Sequence, residues 1–349
     1  MRITRSILAF LVMLVVVAGF RSPANAQTTQ PDLSGIKTYL LEKATALSEG
    51  AVVLKEGTDA FYDLAKAANF DYAALWKDKS ADVIKLLEKA KQDWLTISPL
   101  YEQMEGIVAG VPSLSNYDVI IDAGAKGETG YSITLPDGKM LENPENLFGL
   151  LELALWGGDP EQVYVAQQAD LDNNGKIEFG DVLPDANVLK GVADAMEKYS
   201  SDLLKDAKVW EPTLSDAFTA LVVMIPTMSE YFESWKLSRF VAGNESQQGE
   251  FSVISRLSDI KDIIASLDVI YGGVSPLVKD ADTARDQQIS TELGSLKEYV
   301  LDLYEQENGG KRFTAEEADL FGSEAQDKAE AIAGQVSQVA ALLNVTIAQ

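Results

Sequence analysis

Apolar residues recur three and four positions apart along almost the whole chain beyond its first 30 residues, and this spacing restricts the fold to packed helices. In the first such run, Leu33, Ile36 and Leu40 lie on one helical face, which Ala44 and Leu47 extend. We therefore predict an all-α protein. The candidate helices are 32–48, 56–68, 80–108, 146–159, 188–209, 214–240, 251–271, 283–306 and 314–343.

Local signals mark where several of these helices begin, bend or end. Ser80 is a favourable N-cap, and Thr314 with Glu317 has the spacing of a capping box. Pro99 is predicted to kink its helix, because proline removes one backbone donor and crowds the preceding turn. Asn308-Gly309-Gly310 is a helix stop. Each half of the chain holds about four helices, with no strict internal repeat.

Two segments depart from the helical pattern. Residues 111–145 are loop-like, and 131–135 followed by Pro136-Asp137-Gly138 and 139–141 predict a short hairpin. Residues 157–187 are polar and separate the two halves. We predict a signal peptide at 1–26, an N-terminal helical bundle at 27–157, a joint at 158–187 and a C-terminal helical bundle at 188–349.

The N-terminus has the features of a secretory signal. Arg2 and Arg5 precede an apolar run from Ile7 to Phe20, and Ala24-Asn25-Ala26 is a small-residue cleavage site before Gln27. The run is too short for a transmembrane helix. We expect the mature chain to be exported, periplasmic or extracellular, without a transmembrane segment. A lipid anchor is not expected, because the chain has no cysteine to acylate.

Composition removes several classes of function. The chain has no cysteine and no histidine, so disulfides and imidazole chemistry are excluded. Its net charge is −25, and cleavage after Ala26 would remove three arginines and bring it to −28. Such a charge argues against nucleic acid as a partner, because phosphates require a basic surface. It is compatible with cation binding or with simple solubility.

Residues 170–181, "DLDNNGKIEFGD", match the ligand spacing of an EF-hand calcium loop. Alternating oxygen-bearing residues suit calcium, and a glycine at the sixth position permits the sharp turn. The twelfth position holds Asp, whose side chain is shorter than that of the usual Glu and reaches less far toward the ion. The alternative is an acidic, turn-rich linker that holds no ion. The predicted ligands are Asp170, Asp172, Asn174, the carbonyl of Lys176, Glu178 and Asp181.

A second set of charged residues is spread along the chain. Glu102 and Glu105 lie three apart on one helical face, and Glu152 is surrounded by leucines. An acid flanked by leucines either lies on the solvated face of its helix or is buried with a partner. Scattered charge also has a plain explanation as solvated helix surface. The remaining members of the set are Asp118, Asp122, Arg256 and Asp259.

In four stretches the chain resembles the imelysin-like family, also known as the M75 peptidase family, which includes iron-regulated exported proteins and a periplasmic component of ferrous-iron uptake. The resemblance extends over nearly the whole mature chain and depends on the order and spacing of the motifs, with Trp210 and Arg239 also in place. The four stretches are "DWLTISPLYEQMEGIVAG", "NYDVIID", "ITLPDGKMLENPENLFGLLELALWGGD" and "SRLSDIKDIIASLDVIYGG".

The resemblance implies two packed four-helix bundles with a site in the cleft between them, lined by a His-x-x-Glu motif. Gly149 stands at the histidine position and Glu152 at the glutamate position, so half of the motif is missing. The resemblance implies that this cleft is lined by Glu102, Glu105, Asp122, Glu152 and Arg256. Oxygen ligands suit hard cations such as ferric iron or calcium. Alternatively, these acids pair with arginine inside the bundle interface.

Three functions follow as hypotheses. The first is an exported, non-catalytic binding protein associated with iron uptake, whose partners are a metal ion, a small iron species or an envelope protein. The second is an M75-type metallopeptidase, which the absence of nitrogen and sulfur ligands weakens. The third is an extracellular structural or interaction module that depends on calcium at the joint.

Overall fold

The computed structural model describes residues 31–158, 163–246, 248–249 and 251–348. The predicted signal peptide at 1–26 lies outside the described residues. Within the described ranges, no helix combines the length and the apolar character needed to cross a membrane.

Helices make up most of the described chain, as the apolar spacing predicted. In chain order they are α1 (Ser34–Ala67), α2 (Tyr72–Val108), α3 (Ser115–Asp118), α4 (Leu147–Trp156), α5 (Ala186–Val209), α6 (Leu214–Met224), α7 (Met228–Leu237), α8 (Arg256–Ala281), α9 (Thr283–Asn308) and α10 (Ala315–Leu342). A π-helical turn, Val119–Ala123, follows α3, and 3₁₀ turns lie at Ile225–Thr227 and Gly243–Glu245. The strands are β1 (Ser132–Thr134), β2 (Met140–Glu142), β3 (Val165–Gln168) and β4 (Val182–Pro184).

The helices pack in two groups that meet along α2 and α8. In the first group α1 lies against α2 and α5, and α4 lies against α5. In the second, α8 packs on α9, and α10 packs on α6, α7 and α9. The contact between the groups is close: a Cβ added to Gly106 of α2 would lie 2.3 Å from Ser266 Oγ of α8.

The grouping of α5 differs from the predicted division of the chain. The sequence prediction placed the start of the C-terminal bundle at residue 188, but α5 packs on α1 and α4 of the first group. Its buried stripe, with Leu189, Val192, Met196 and Leu203, faces those helices. An apolar stripe predicts that a helix is packed, but it does not say which helix is the neighbour.

Two helices differ from their predicted form. The runs 32–48 and 56–68 belong to one helix, because Ala51 and Leu54 continue the buried stripe between them. α2 begins at Tyr72, earlier than the predicted start at residue 80, and continues through Pro99 to Val108 as predicted. The departure from helical dihedral angles lies at Lys79, with φ −139° and ψ 19°, directly before the predicted N-cap Ser80.

The predicted hairpin is confirmed. β1 and β2 are antiparallel, with Ile133 opposite Leu141, and Gly138 adopts a φ of +86° in the connecting turn. The capping box is confirmed as well, because Thr314 Oγ1 accepts from the Glu317 N–H and Glu317 Oε2 accepts from the Thr314 N–H. The π-helical turn lies in the segment predicted to be loop-like.

Candidate functional site

Three carboxylates meet inside the protein where α2 passes the π-helical turn. Glu102 and Glu105 lie about one turn apart on the inner face of α2, and each is 2% exposed. Asp122, in the π-helical turn, is 1% exposed. One oxygen from each of the three lies within 4.8 Å of the others. We call Glu102, Glu105 and Asp122 the carboxylate cluster.

Tyrosines partner some of the surrounding acids. Tyr231 of α7 donates its hydroxyl to Glu105 Oε1, and Tyr101 donates to Asp118 Oδ1 at 2.8 Å. Asp118 precedes the π-helical turn, so an unusual stretch of backbone presents both Asp118 and Asp122 toward α2. Such turns are frequent at functional sites, because the extra residue per turn redirects side chains.

Arg256 supplies the positive charge of this region. It is 6% exposed and begins α8, where its Nη1 donates to Asp259 Oδ2 at 2.9 Å. Its guanidinium lies 3.7 Å from the centroid of the Phe251 ring and 4.8 Å from that of Tyr231. The faces of these two rings hold the guanidinium in place and keep water from it.

Glu152 reaches the same region from α4. This helix begins at an N-cap, Asn146, whose side chain accepts from the Gly149 N–H at 2.7 Å. Glu152 is 2% exposed, and its Oε2 accepts from the backbone N–H of Ser252 at 3.0 Å. A buried carboxylate that accepts from a backbone N–H ties two distant segments together.

A small cavity separates these side chains, and about 10 Å³ of it is open to a water-sized sphere. We call it the carboxylate cavity. A cavity needs roughly 10–15 Å³ of such volume to hold one water, so this one suits an ion or a single water and not a peptide. It is lined by Trp94, Ser98, Glu102, Asp122, Phe148, Gly149, Glu152, Phe251, Ile254 and Asp259.

Several polar atoms here are buried without a hydrogen-bond partner among the described residues. They are Glu102 Oε2, Glu105 Oε2, Asp122 Oδ1, Trp94 Nε1 and Arg256 Nε. Buried polar atoms are nearly always hydrogen-bonded, because their desolvation is otherwise uncompensated. Three unpartnered carboxylate oxygens in one cluster are the donor set expected of a cation site.

The pKa values of the buried acids reflect the excess of negative charge. Burial raises the pKa of Glu102 well above its usual range, and the negative charges of Asp122, Asp259 and Glu105 add to this effect. Burial likewise raises the pKa of Asp122 well above normal, although Arg256 opposes the shift. Burial brings the pKa of Asp118 to about 7. One arginine therefore does not neutralise this set of acids.

The predicted calcium loop forms a second group of carboxylates. Oxygens of Asp170, Asp172 and Asp181 lie within 4.8 Å of one another. Asp170 accepts from the backbone N–H groups of Asn174 and Gly175, and the φ of Gly175 is +85°. The side chains of Asn174 and Glu178 also meet here, with Asn174 Nδ2 donating to Asp172 at 2.8 Å and to Glu178 at 3.4 Å.

Strands enclose this loop, whereas helices enclose an EF-hand. β3 and β4 pair antiparallel on either side of it, and the Ala169 N–H donates to the Asp181 carbonyl at 2.9 Å. Lys91 of α2 donates to the Gly180 carbonyl at 2.7 Å, and burial lowers the pKa of Lys91 to about 8. Arg239, beyond α7, lies 4.0 Å from the centroid of the Phe179 ring. The loop thus contacts both groups of helices.

Comparison with protein-family models identifies the chain. The model described as Imelysin, peptidase M75, matches residues 40–345. The chain belongs to the imelysin family. Comparison with curated proteins returned no match. The imelysin match includes the carboxylate cluster, the α4 helix, the calcium-loop motif and Arg256.

The structure brings together all five residues that the resemblance to the imelysin family placed in the cleft. Glu102, Asp122 and Glu152 line the carboxylate cavity, and Glu105 belongs to the carboxylate cluster. Arg256 lies next to them, since the charges of Asp259, Asp122 and Glu102 all act on its pKa. Gly149, at the position of the missing histidine, lines the cavity too.

Sequence reasoning missed several residues of this imelysin-family site, two of them on α2. Trp94 and Ser98 were not singled out as site residues, yet both line the carboxylate cavity. Trp94, Ser98, Glu102 and Glu105 are spaced by four, four and three positions, which places them on one face of α2. That spacing is the signal that would have found them.

Proposed function

We propose that this member of the imelysin family is an exported, non-catalytic binding protein that takes up a hard cation, ferric iron or a divalent cation, in the carboxylate cavity. One observation carries the proposal: the three buried carboxylates of the cluster, within 4.8 Å of one another, each with an oxygen that no described group partners. A cation supplies the missing partner and offsets the buried negative charge.

The kind of cation follows from the ligands on offer. The chain contains no histidine and no cysteine, so its side chains offer oxygen donors in place of imidazole or thiolate. Carboxylate ligands suit calcium, magnesium and manganese, and ferric iron is a hard cation that also takes oxygen donors. Iron uptake is the biological setting that the family resemblance implies, and the signal-like N-terminus and acidic composition are compatible with export. An envelope protein would be its partner in that setting.

A peptidase is the alternative function, and the ligand set speaks against it. Catalytic zinc sites use histidine or cysteine in nearly every known case. A cavity with about 10 Å³ open to a water-sized sphere also leaves no room for a peptide beside an activated water. Cleavage of a peptide library by the purified protein, with loss of that activity in Glu152→Ala, would support the peptidase alternative over the binding protein.

Elemental analysis by inductively coupled plasma mass spectrometry tests the main proposal. We expect the protein as purified to carry about one iron or manganese, and the variant Glu102→Gln/Glu105→Gln to carry none. Glu316→Gln is the control, because Glu316 is exposed on α10. An unsubstituted protein that retains no cation after dialysis against each of iron, manganese and calcium would contradict the proposal.

A specific observation favours a second function, for the joint at 158–187. Calcium bound in its loop would fix the joint against both groups of helices. The carboxylates of Asp170, Asp172 and Asp181 converge, and the same loop contacts Lys91 and Arg239. An ion in the loop would hold these contacts in one arrangement. Calcium titration by calorimetry tests it: we expect the unsubstituted protein to bind one more calcium ion than Asp170→Ala/Asp172→Ala, which keeps only the carboxylate cavity.

A further inference from the structure

An observation on the indole of Trp94 indicates that the ligand in the carboxylate cavity has a second component. Trp94 is 2% exposed and lines that cavity together with Glu102, Asp122 and Glu152. Its Nε1–H has no hydrogen-bond partner among the described residues. An indole N–H is a donor only, and buried tryptophans usually satisfy it.

Packing holds this ring in its orientation. Trp94 meets Phe148 edge to face with centroids 5.9 Å apart, and it meets Trp156 in the same way at 5.5 Å. Rotation of the indole toward another acceptor would break both contacts. The ring therefore keeps its place, and a molecule in the cavity that it lines is the candidate partner for its N–H.

A bare cation cannot be that partner, because it offers no lone pair to an N–H donor. Hard cations surround themselves with about six to eight oxygens. The carboxylate cluster alone does not supply so many, since Glu105 already uses Oε1 to accept from Tyr231. Other oxygens of the cavity lining, such as those of Ser98 and Asp259, can contribute, and the cavity has room for about one water as a further ligand. A water suits this cavity better than an oxyanion, because the surrounding acids already outnumber Arg256.

We propose that the cation enters the carboxylate cavity as a partly hydrated ion, and that Trp94 Nε1–H donates to a water bound to it. Trp94 is then a positioning residue: it orients the water and, through the water, the ion. This inference depends on the proposed cation site and extends it to the non-protein part of the coordination sphere.

The test uses Mn²⁺, whose bound waters are counted by water-proton relaxation. Mn²⁺ is titrated into the Asp170→Ala/Asp172→Ala protein, so that the calcium-loop motif does not compete, and into the same protein carrying Trp94→Phe. We expect Trp94→Phe to bind Mn²⁺ about three- to tenfold more weakly, as loss of one hydrogen bond predicts, and with faster exchange of the bound water. Trp76→Phe is the matched control, because Trp76 does not line the cavity.

The outcomes separate this inference from the proposed function. No Mn²⁺ bound to the protein with all its tryptophans would overturn the cation site itself. Equal affinity and equal water relaxation in Trp94→Phe and its parent would overturn the role of Trp94 alone.

A second measurement does not depend on how Trp94→Phe folds. In the ¹⁵N-indole spectrum of the parent protein, Ca²⁺ should shift the resonance of one of the five tryptophans downfield and slow its exchange with solvent. Binding of Ca²⁺ without a shift of any indole resonance would also overturn the inference.

Discussion

The backbone N–H of Ser252 donates to Glu152 Oε2 at 3.0 Å, across 100 positions of the sequence. The bond joins α4 of the first helical group to the segment that leads into α8 of the second. Phe251, the neighbour of Ser252, has a left-handed φ of +53° and covers the guanidinium of Arg256. A bulky residue in that conformation is strained, so its neighbours must hold it there.

Replacing Glu152 should destabilise the protein even without a cation. In Glu152→Ala the buried Ser252 N–H loses its acceptor, which costs about 1–3 kcal/mol in the free energy of unfolding. Glu152→Gln keeps an amide oxygen as acceptor and should lose less. Urea unfolding of both variants in EDTA measures the difference. Equal stability of Glu152→Ala and the unsubstituted protein would show that this bond has no structural role.

Removing Arg256 should be more costly. Arg256→Met leaves Asp259 and Asp122 buried without their positive partner, and breaking a buried ion pair from one side costs about 3–5 kcal/mol. The double variant Arg256→Met/Asp259→Asn should recover part of that loss, because the uncompensated charge is then gone. A double-mutant cycle from urea unfolding gives the coupling, and additive effects of the two substitutions would contradict the prediction.

The metal-free protein should lose stability as pH rises from about 4 to about 7. Burial raises the pKa of Asp118 to about 7 and that of Asp259 to about 6. Unfolded aspartate titrates near about 3.9, so between these values the folded state binds more protons, and stability falls with rising pH. Unfolding in EDTA at pH 5 and pH 7 measures this fall.

Asp118→Asn is the control for that pH dependence. Asparagine cannot titrate, so the variant should show a smaller fall in stability between pH 5 and pH 7. A fall as large as that of the unsubstituted protein would assign the pH dependence to other groups.

Calcium should raise the melting temperature through the loop at 170–181. Binding to the folded state alone stabilises by about 2.7 kcal/mol at a calcium concentration 100 times the dissociation constant. For a chain of this size that corresponds to an increase of a few degrees. Asp172→Ala should reduce the increase by the share that the loop contributes, whereas Glu316→Gln should keep it. Scanning calorimetry with and without EGTA measures both, and an unchanged increase in Asp172→Ala would remove the loop as its cause.

Close contact between the helical groups predicts opposite effects for two glycine substitutions. In Gly106→Ala the new methyl group would overlap Ser266 Oγ and lie 3.0 Å from a Leu267 methyl, so these side chains or α8 itself must shift. We expect a loss of about 1–3 kcal/mol. Gly294→Ala in α9 meets nothing within 4 Å and should gain up to about 1 kcal/mol from helix propensity. Urea unfolding measures both effects, and stabilisation in both variants would contradict the close approach of α2 to α8.

Features that depend on neighbours in sequence were predicted well. The all-α class, the hairpin around Gly138 and the Thr314–Glu317 capping box follow from spacing of three or four residues or from one turn, and the structure confirms them. The carboxylates of the calcium-loop motif converge for the same reason, since they lie within one loop. The apolar spacing also predicted that the helix resumes past Pro99, and α2 continues to Val108.

Only the tertiary structure decided which distant residues meet. Nothing local to α5 states that it packs on α1, and nothing local to Glu102 states that Asp122, Glu152 and Arg256 surround it; the sequence pointed there only through resemblance to a family. The unpartnered N–H of Trp94 was also beyond the sequence, because it depends on ring contacts with Phe148 and Trp156 of α4, a helix distant in sequence. Periodicity determines which face of a helix is buried, while the choice of partner depends on how all the faces fit together.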